Sequence, residues 1–208
     1  SRLPYIQLVR STLGLLLTDR VLRTRGTLAL LMFAVFSIFW SALALPLTAP
    51  PLSLSHSAVG AFGLIGAAGA FFAGRAGRWA DRGWGQRTSA AALALLLLAW
   101  IPLGFTQSSL WWLAVGILML DVGCQALHVT NQAMILRGPA ESHGRLIGCY
   151  MLFYAAGSGA GAIASTTVYA HLGWPGVCVL GASVSALALV FWASTWVRPC
   201  LGAPCVQP

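Results

Sequence analysis

The sequence predicts an all-α polytopic membrane protein with six transmembrane helices, and three observations carry that reading. The chain of 208 residues is 58% hydrophobic, holds 23 glycines besides, and is only 8% charged, where a soluble domain carries roughly 25% charged residues. So few charges cannot cover a water-facing surface, and disorder, which needs low hydrophobicity and high charge, is excluded by the same figures. The apolar residues gather in runs that approach or exceed the roughly 20 residues that cross a bilayer. All 12 basic residues are arginines, and they fall between alternate runs. Backbone groups in lipid must bond internally, so such runs are helical.

Residues 1–26 are polar and arginine-bearing. They read either as a cytoplasmic inter-domain linker or, through LVRSTLGLLL, as an interfacial amphipathic helix. The stretch opens on Ser1 with no signal-peptide pattern, which reads as the middle of a longer protein. The spans are 27–47, 57–74, 88–105, 109–134, 146–169 and 174–197, together a six-helix bundle over 27–197. Turn chemistry separates them: Pro46 with Pro50-Pro51, Gly83 with Gly85, Gly104, Gly138-Pro139, and Gly173 before Pro175. Residues 198–208 form a tail in which Cys200 and Cys205 are either unremarkable small residues or sites of palmitoylation or a disulfide.

Orientation follows from the arginines. Arg2, Arg10, Arg20, Arg23 and Arg25 precede the first span; Arg75, Arg78, Arg82 and Arg87 join the second to the third; Arg137 and Arg145 join the fourth to the fifth; Arg198 follows the last. The connections 48–56, 106–108 and 170–173 contain none. Both ends of the chain are therefore expected in the cytoplasm, with Trp100, Trp111, Trp112 and Trp174 marking the outer interface and Trp79, Trp84 and Trp196 the inner one. The net charge of +8 and isoelectric point near 10.1 belong to these topology signals and not to a nucleic-acid-binding face. No cysteine or histidine spacing suggests a metal site, and no cofactor is implied.

Polar chemistry concentrates in the fourth span, in LMLDVGCQALHVTNQ. Asp121, Gln125, His128 and Gln132 recur at helical spacing on one face, flanked by Cys124 and Asn131. An acid at midplane costs at least roughly 2.5–3.5 kcal/mol on insertion scales, so it faces a cavity or a partner. This stripe is either the lining of an aqueous substrate or proton path or an interhelical hydrogen-bond cluster. Small residues mark two close-packing faces: Gly63, Ala67, Ala70 and Gly74 in the second span, and Gly157, Gly159 and Gly161 in the fifth, below Tyr150 and Tyr154. These faces are either sliding surfaces or static contacts. An intramembrane serine protease is excluded on two counts. Ala156-Gly157-Ser158-Gly159 lacks the first glycine of that motif, and the last span has no histidine to act as base.

The connection AGRAGRWADRGWGQR (73–87) resembles the signature loop of the major facilitator superfamily, G-x-x-x-D-R/K-x-G-R-R/K. Gly77, Asp81 and Arg82 fall on motif positions and Arg87 ends the basic cluster, while Gly83-Trp84-Gly85 departs from the single glycine of the family. The run RGPAESHGRLIGCYMLFYAAGSGAGA (137–162) is similar to the fourth-to-fifth connection and glycine-rich helix of a superfamily half, with His143 where arginine is common. The resemblance implies a twelve-helix fold of two six-helix halves, each of two inverted three-helix repeats. This chain would be the C-terminal half, its N-terminal half missing, with 27–105 and 109–197 as the two repeats. It implies secondary active transport of a small solute by alternating access, in a bacterial inner membrane, with no enzyme activity. The composition and the pattern of spans resemble the bacterial efflux-type members most, and proton coupling, with Asp121 as a candidate carrier, is a further expectation. Asp81, Arg82 and Arg87 would then form a cytoplasmic gating loop and Gly63, Gly74, Gly157 and Gly161 the packing glycines. Two rival readings are a six-span channel or dimerising carrier, and a non-transporting scaffold.

Overall fold

The computed structural model describes residues 14, 16, 18–50, 52–137 and 142–197, without the side chains of 68, 70, 72, 73, 196 and 197. The LVRSTLGLLL segment, for the most part, and the tail from 198, with Cys200 and Cys205, lie outside these residues, as do Gly138, Pro139 and the side chains of Ala70 and Trp196.

The described chain is all helical. Helix α1 (Arg20–Ala42) starts at Asp19, whose carboxylate accepts the Leu22 amide at 2.9 Å. The short α2 (Ala44–Thr48) continues it to the Pro-rich connection. Helix α3 (His56–Trp79) is capped by Ser55 and runs into a π-helical turn, Ala80–Trp84. Then follow α4 (Gly85–Leu98), α5 (Trp100–Gly104), α6 (Leu110–Ile135), capped by Ser109, and α7 (His143–Val197). Four stretches are long and apolar enough to cross a membrane: Arg20–Thr48, Gly74–Gly104, Leu110–Ile135 and His143–Thr195, with His56–Ala67 a shorter apolar helix. The molecule is a helical membrane protein.

Helix boundaries differ from the apolar runs in a consistent way. Helix α1 begins at Arg20 and not at 27, so residues 20–26 are helical. Helix α3 likewise continues to Trp79, beyond the expected end at 74. Hydropathy marks where lipid ends, whereas a helix continues through the polar interface until its hydrogen bonds are capped.

The connection at 170–173 is also shorter than expected, because the backbone of α7 leaves helical geometry only at Gly173 (φ 63°, ψ −160°). That region is open essentially to glycine alone. A straight helix of 55 residues would be roughly 80 Å long, and here the two arms reverse direction. Along the first arm, Gly157 lies on Leu30, Gly161 on Ala34, and the Ser165 hydroxyl donates to the Ile38 carbonyl at 2.6 Å, so it runs parallel to α1. Along the second, Trp174 donates to the Leu103 carbonyl at 2.8 Å, Trp100 donates to the Ser185 hydroxyl at 3.1 Å and Trp192 to the Gln86 side chain at 3.0 Å, so it runs antiparallel to α4 and α5.

Those bonds correct the expectation for two tryptophans. Trp100 and Trp174 are 4% and 3% exposed and sit in the core with Phe39, Leu93 and Leu120, not at a lipid interface. Each indole nitrogen finds an acceptor on a neighbouring helix, which permits complete burial. Trp111, Trp112, Trp79 and Trp84 are exposed.

The small-residue faces also differ from the expected pattern in part. Gly157 and Gly161 let the backbone of α1 approach so closely that any Cβ would collide with the carbonyl oxygens of Leu30 and Ala34. Gly63 and Gly74 meet nothing within 4 Å among the described residues; on α3 the close approach belongs to Gly66 and Gly69, toward α6. Adjacent positions on a glycine-rich helix carry similar small-residue signals, so spacing alone does not choose which stripe faces a partner.

Candidate functional site

Helix α6 is packed between α3, α4 and α1, and its polar residues meet different neighbours along its length. Asp121 is 5% exposed. A Cβ on Gly66 would lie 2.6 Å from Asp121 Oδ2 and 3.1 Å from Trp40 Cζ2, and one on Gly69 would lie 3.0 Å from Asp121 Cβ. The absence of side chains at 66 and 69 therefore creates the niche that holds this carboxylate beside the Trp40 indole. Asp121 Oδ2 and Trp40 Nε1 are both buried without a hydrogen-bond partner among the described residues.

Seven residues along α6, or about 10 Å, His128 Nδ1 shares a hydrogen bond of 2.9 Å with the Tyr150 hydroxyl of α7. Its ring stands edge-on to Phe33 at 5.2 Å, and Phe33 stands edge-on to Tyr154 at 4.1 Å. From Phe33 an aromatic series continues up α1 through Phe36 (6.5 Å) to Trp40 (6.1 Å). Helical spacing of i, i+3 and i+7 puts these three rings on one face. They form a continuous wall from the histidine to the carboxylate. Gln125 and Gln132 are half-buried on α6, Tyr150 is 1% exposed and Tyr154 is 40% exposed.

Asn131 belongs to a third contact. Arg25, only 3% exposed, donates from Nη1 to Ser89 Oγ at 2.7 Å and, at 3.4 Å, to Asn131 Oδ1. The Ser89 hydroxyl in turn donates to the Gly85 carbonyl at 2.8 Å. The arginine thus joins α1, α4 and α6. Reasoning from sequence took it as a topology marker and missed it. The available signal was its place on the Leu22, Arg25, Ala29, Met32 stripe, whose other members are fully buried. Trp40 and Phe33 were missed for a different reason: aromatic residues in an apolar run carry no sign of which face they occupy.

The family model of the Major Facilitator Superfamily matches residues 25–199. The chain belongs to this superfamily. Among its relatives, the YgaY protein of Escherichia coli K12 is 42% identical over 92% of this chain and 49% of its own length. The "Uncharacterized transporter YgaY" of Escherichia coli O157:H7 is 41% identical over 92% of this chain and 49% of its own length. The "Probable transporter SCO4007" of Streptomyces coelicolor is 31% identical over 81% of this chain and 38% of its own length. The chain thus spans half or less of the length of these curated relatives. No solved structure matches it.

In this superfamily member the arginine-rich connection is a turn built by two glycines with separate tasks. Gly83 takes φ 86°, which reverses the chain without a steric clash. Gly85 abuts Met134 Sδ, which would lie 2.9 Å from a Cβ there. The departure from the single motif glycine therefore has a local cause: one glycine turns the backbone, the other seats it on α6. Gly77 packs on Val129 Cγ1, 3.1 Å from where its Cβ would be. Asp81, Arg82 and Arg87 are exposed. Arg137, at the end of α6, donates from Nη2 to the Ala80 carbonyl at 3.0 Å, tying that helix to the turn.

Proposed function

We propose that this chain is the C-terminal six-helix half of a secondary transporter. Its helices form two inverted triplets, with both ends cytoplasmic in a bacterial inner membrane. The superfamily match and relatives named as transporters support solute transport, and the reversal at Gly173 supports six spans. The observation that carries the mechanism is the unpartnered Asp121 oxygen beside the unpartnered Trp40 indole. A buried polar group without a partner costs roughly 1–3 kcal/mol, and more if charged. Such a niche is kept because something transient, a proton or a polar group of the solute, completes it.

On this reading the solute path runs along the wall of Phe33, Phe36 and Trp40, with Asp121, Gln125, His128, Asn131, Gln132, Tyr150 and Tyr154 as its polar groups. Substrate is bound between this half and an N-terminal half, and transport is proton-coupled efflux by alternating access. Gly77, Asp81, Arg82 and Arg87 form the gate at the cytoplasmic turn. The test uses the full-length protein in vesicles with a trapped pH dye and a panel of added solutes. A solute that triggers proton movement in the parent should trigger none in Asp121→Asn. Unchanged coupled flux in that variant rejects the assignment.

A further inference from the structure

The arginine-rich end of the bundle contains a cavity of about 640 Å³ between the start of α1, the start of α4, the end of α6 and the end of α7. Arg20, Arg23 and Arg25 line it. The whole sequence has only four acidic residues, and among the described residues, which include Asp19, Asp81 and Asp121, no carboxylate lines this space. Asp19 is turned to the helix amide of Leu22, and Asp121 lies in its niche on α3. The segments on either side, 1–13 and 198–208, contain no Asp or Glu side chain that could neutralise the cluster.

Three arginines thus share one cavity with no described carboxylate, Arg20 and Arg23 exposed and Arg25 nearly fully buried. Among the described residues its Nη1 meets neutral acceptors, Ser89 and Asn131. A buried cation is stable only where a counter-charge reaches it. Guanidinium forks match the paired oxygens of a phosphate. Thr24 and the side-chain amide of Gln86 add neutral donors on the same wall. Val21 and Phe191 give the cavity an apolar flank.

We infer that this cavity is a binding site for a phosphate-bearing anion. An anionic phospholipid headgroup and free phosphate offer the same chemistry, and the experiment separates them. The full-length protein is purified, stripped of lipid, and titrated with phosphatidylglycerol or with inorganic phosphate while bound ligand is counted by native mass spectrometry. The comparison is between Arg20→Gln/Arg23→Gln and Arg75→Gln/Arg78→Gln, which lose equal charge; Arg75 and Arg78 are exposed outside the cavity. Arg25 is left intact because it joins three helices.

Phosphatidylglycerol binding should weaken by roughly 30-fold in the first variant, at about one basic contact's worth per arginine, and by less than threefold in the second. If phosphate fails to displace the lipid, the source is a headgroup; if phosphate binds with the same dependence on Arg20 and Arg23, the source is the free ion. Equal weakening in both variants, or binding of neither ligand, overturns the inference. None of these readouts involves transport, so the outcome is independent of the function proposed above.

Discussion

Asp121 and Arg25 are both buried ionisable residues in apolar helices, but their surroundings differ. Arg25 has acceptors from two neighbouring helices, and its removal would strand them. Asp121 sits in a niche beside the Trp40 indole, with Oδ2 outside hydrogen-bonding geometry, and asparagine keeps that shape while relieving the burial of a charge. Asp121→Asn is therefore expected to leave the thermal midpoint of the purified protein unchanged or raised while coupled flux is lost. A midpoint lowered by several degrees would assign the carboxylate a structural role instead. The niche itself is open to a steric probe. Gly66→Ala places a methyl 2.6 Å from Asp121 Oδ2 and 3.1 Å from Trp40 Cζ2, an overpacking that costs on the order of 1–3 kcal/mol. Both flux and melting temperature should fall, and a variant with the parent's midpoint would show that the niche relaxes freely.

At the scale of helices, neighbouring glycines of α7 should respond with opposite signs. Gly159→Ala meets open space and gains up to about 1 kcal/mol of helix propensity, so its melting temperature should hold or rise. Gly161→Ala drives a Cβ into the Ala34 backbone and should melt earlier. Equal midpoints for the pair would mean that the first arm of α7 does not rest on α1. Gly173→Ala, at φ 63° and ψ −160°, should cost about 1–3 kcal/mol, read as lost folded protein on heating. The helices and their breaks were legible in the apolar runs and in Gly83 and Gly173, because lipid exposure and backbone conformation are local properties. The helix faces were less legible. The expected stripe of Gly63 and Gly74 and the packing niche of Gly66 and Gly69 lie on the same glycine-rich helix, and only the position of α6 distinguishes them. Arg25, Trp100 and Trp174 were misplaced because an interface residue and a buried one with a distant acceptor look alike in one dimension.

For the whole molecule, the cavity at the arginine-rich end gathers the start of α1, the start of α4 and the ends of α6 and α7 on one side, as the distribution of arginines led one to expect. Cysteine labelling of intact cells tests which side that is. Gln107→Cys, on the arginine-free connection, should react with an impermeant maleimide, and Arg78→Cys should react only after lysis; the reverse pattern would invert the orientation. Leu64 and Phe71 on α3, and Leu152 and Ile163 on α7, are exposed large apolar residues. If an N-terminal half covers part of this surface, cysteines at 64 and 152 should label more slowly in the full-length protein than in the isolated chain. Equal rates would leave that surface to lipid.

The anchoring of Arg25 also has a consequence in time. Its acceptors, Ser89 and Asn131, lie 64 and 106 positions further along the chain. At a synthesis rate of roughly 5–20 residues per second, the second acceptor emerges on the order of 5–20 s after the arginine does. During that interval the arginine lacks both acceptors that fix it in the folded bundle, and its side chain is left to the water and headgroups of the interface. Its final place is thus fixed late, by helices made after its own.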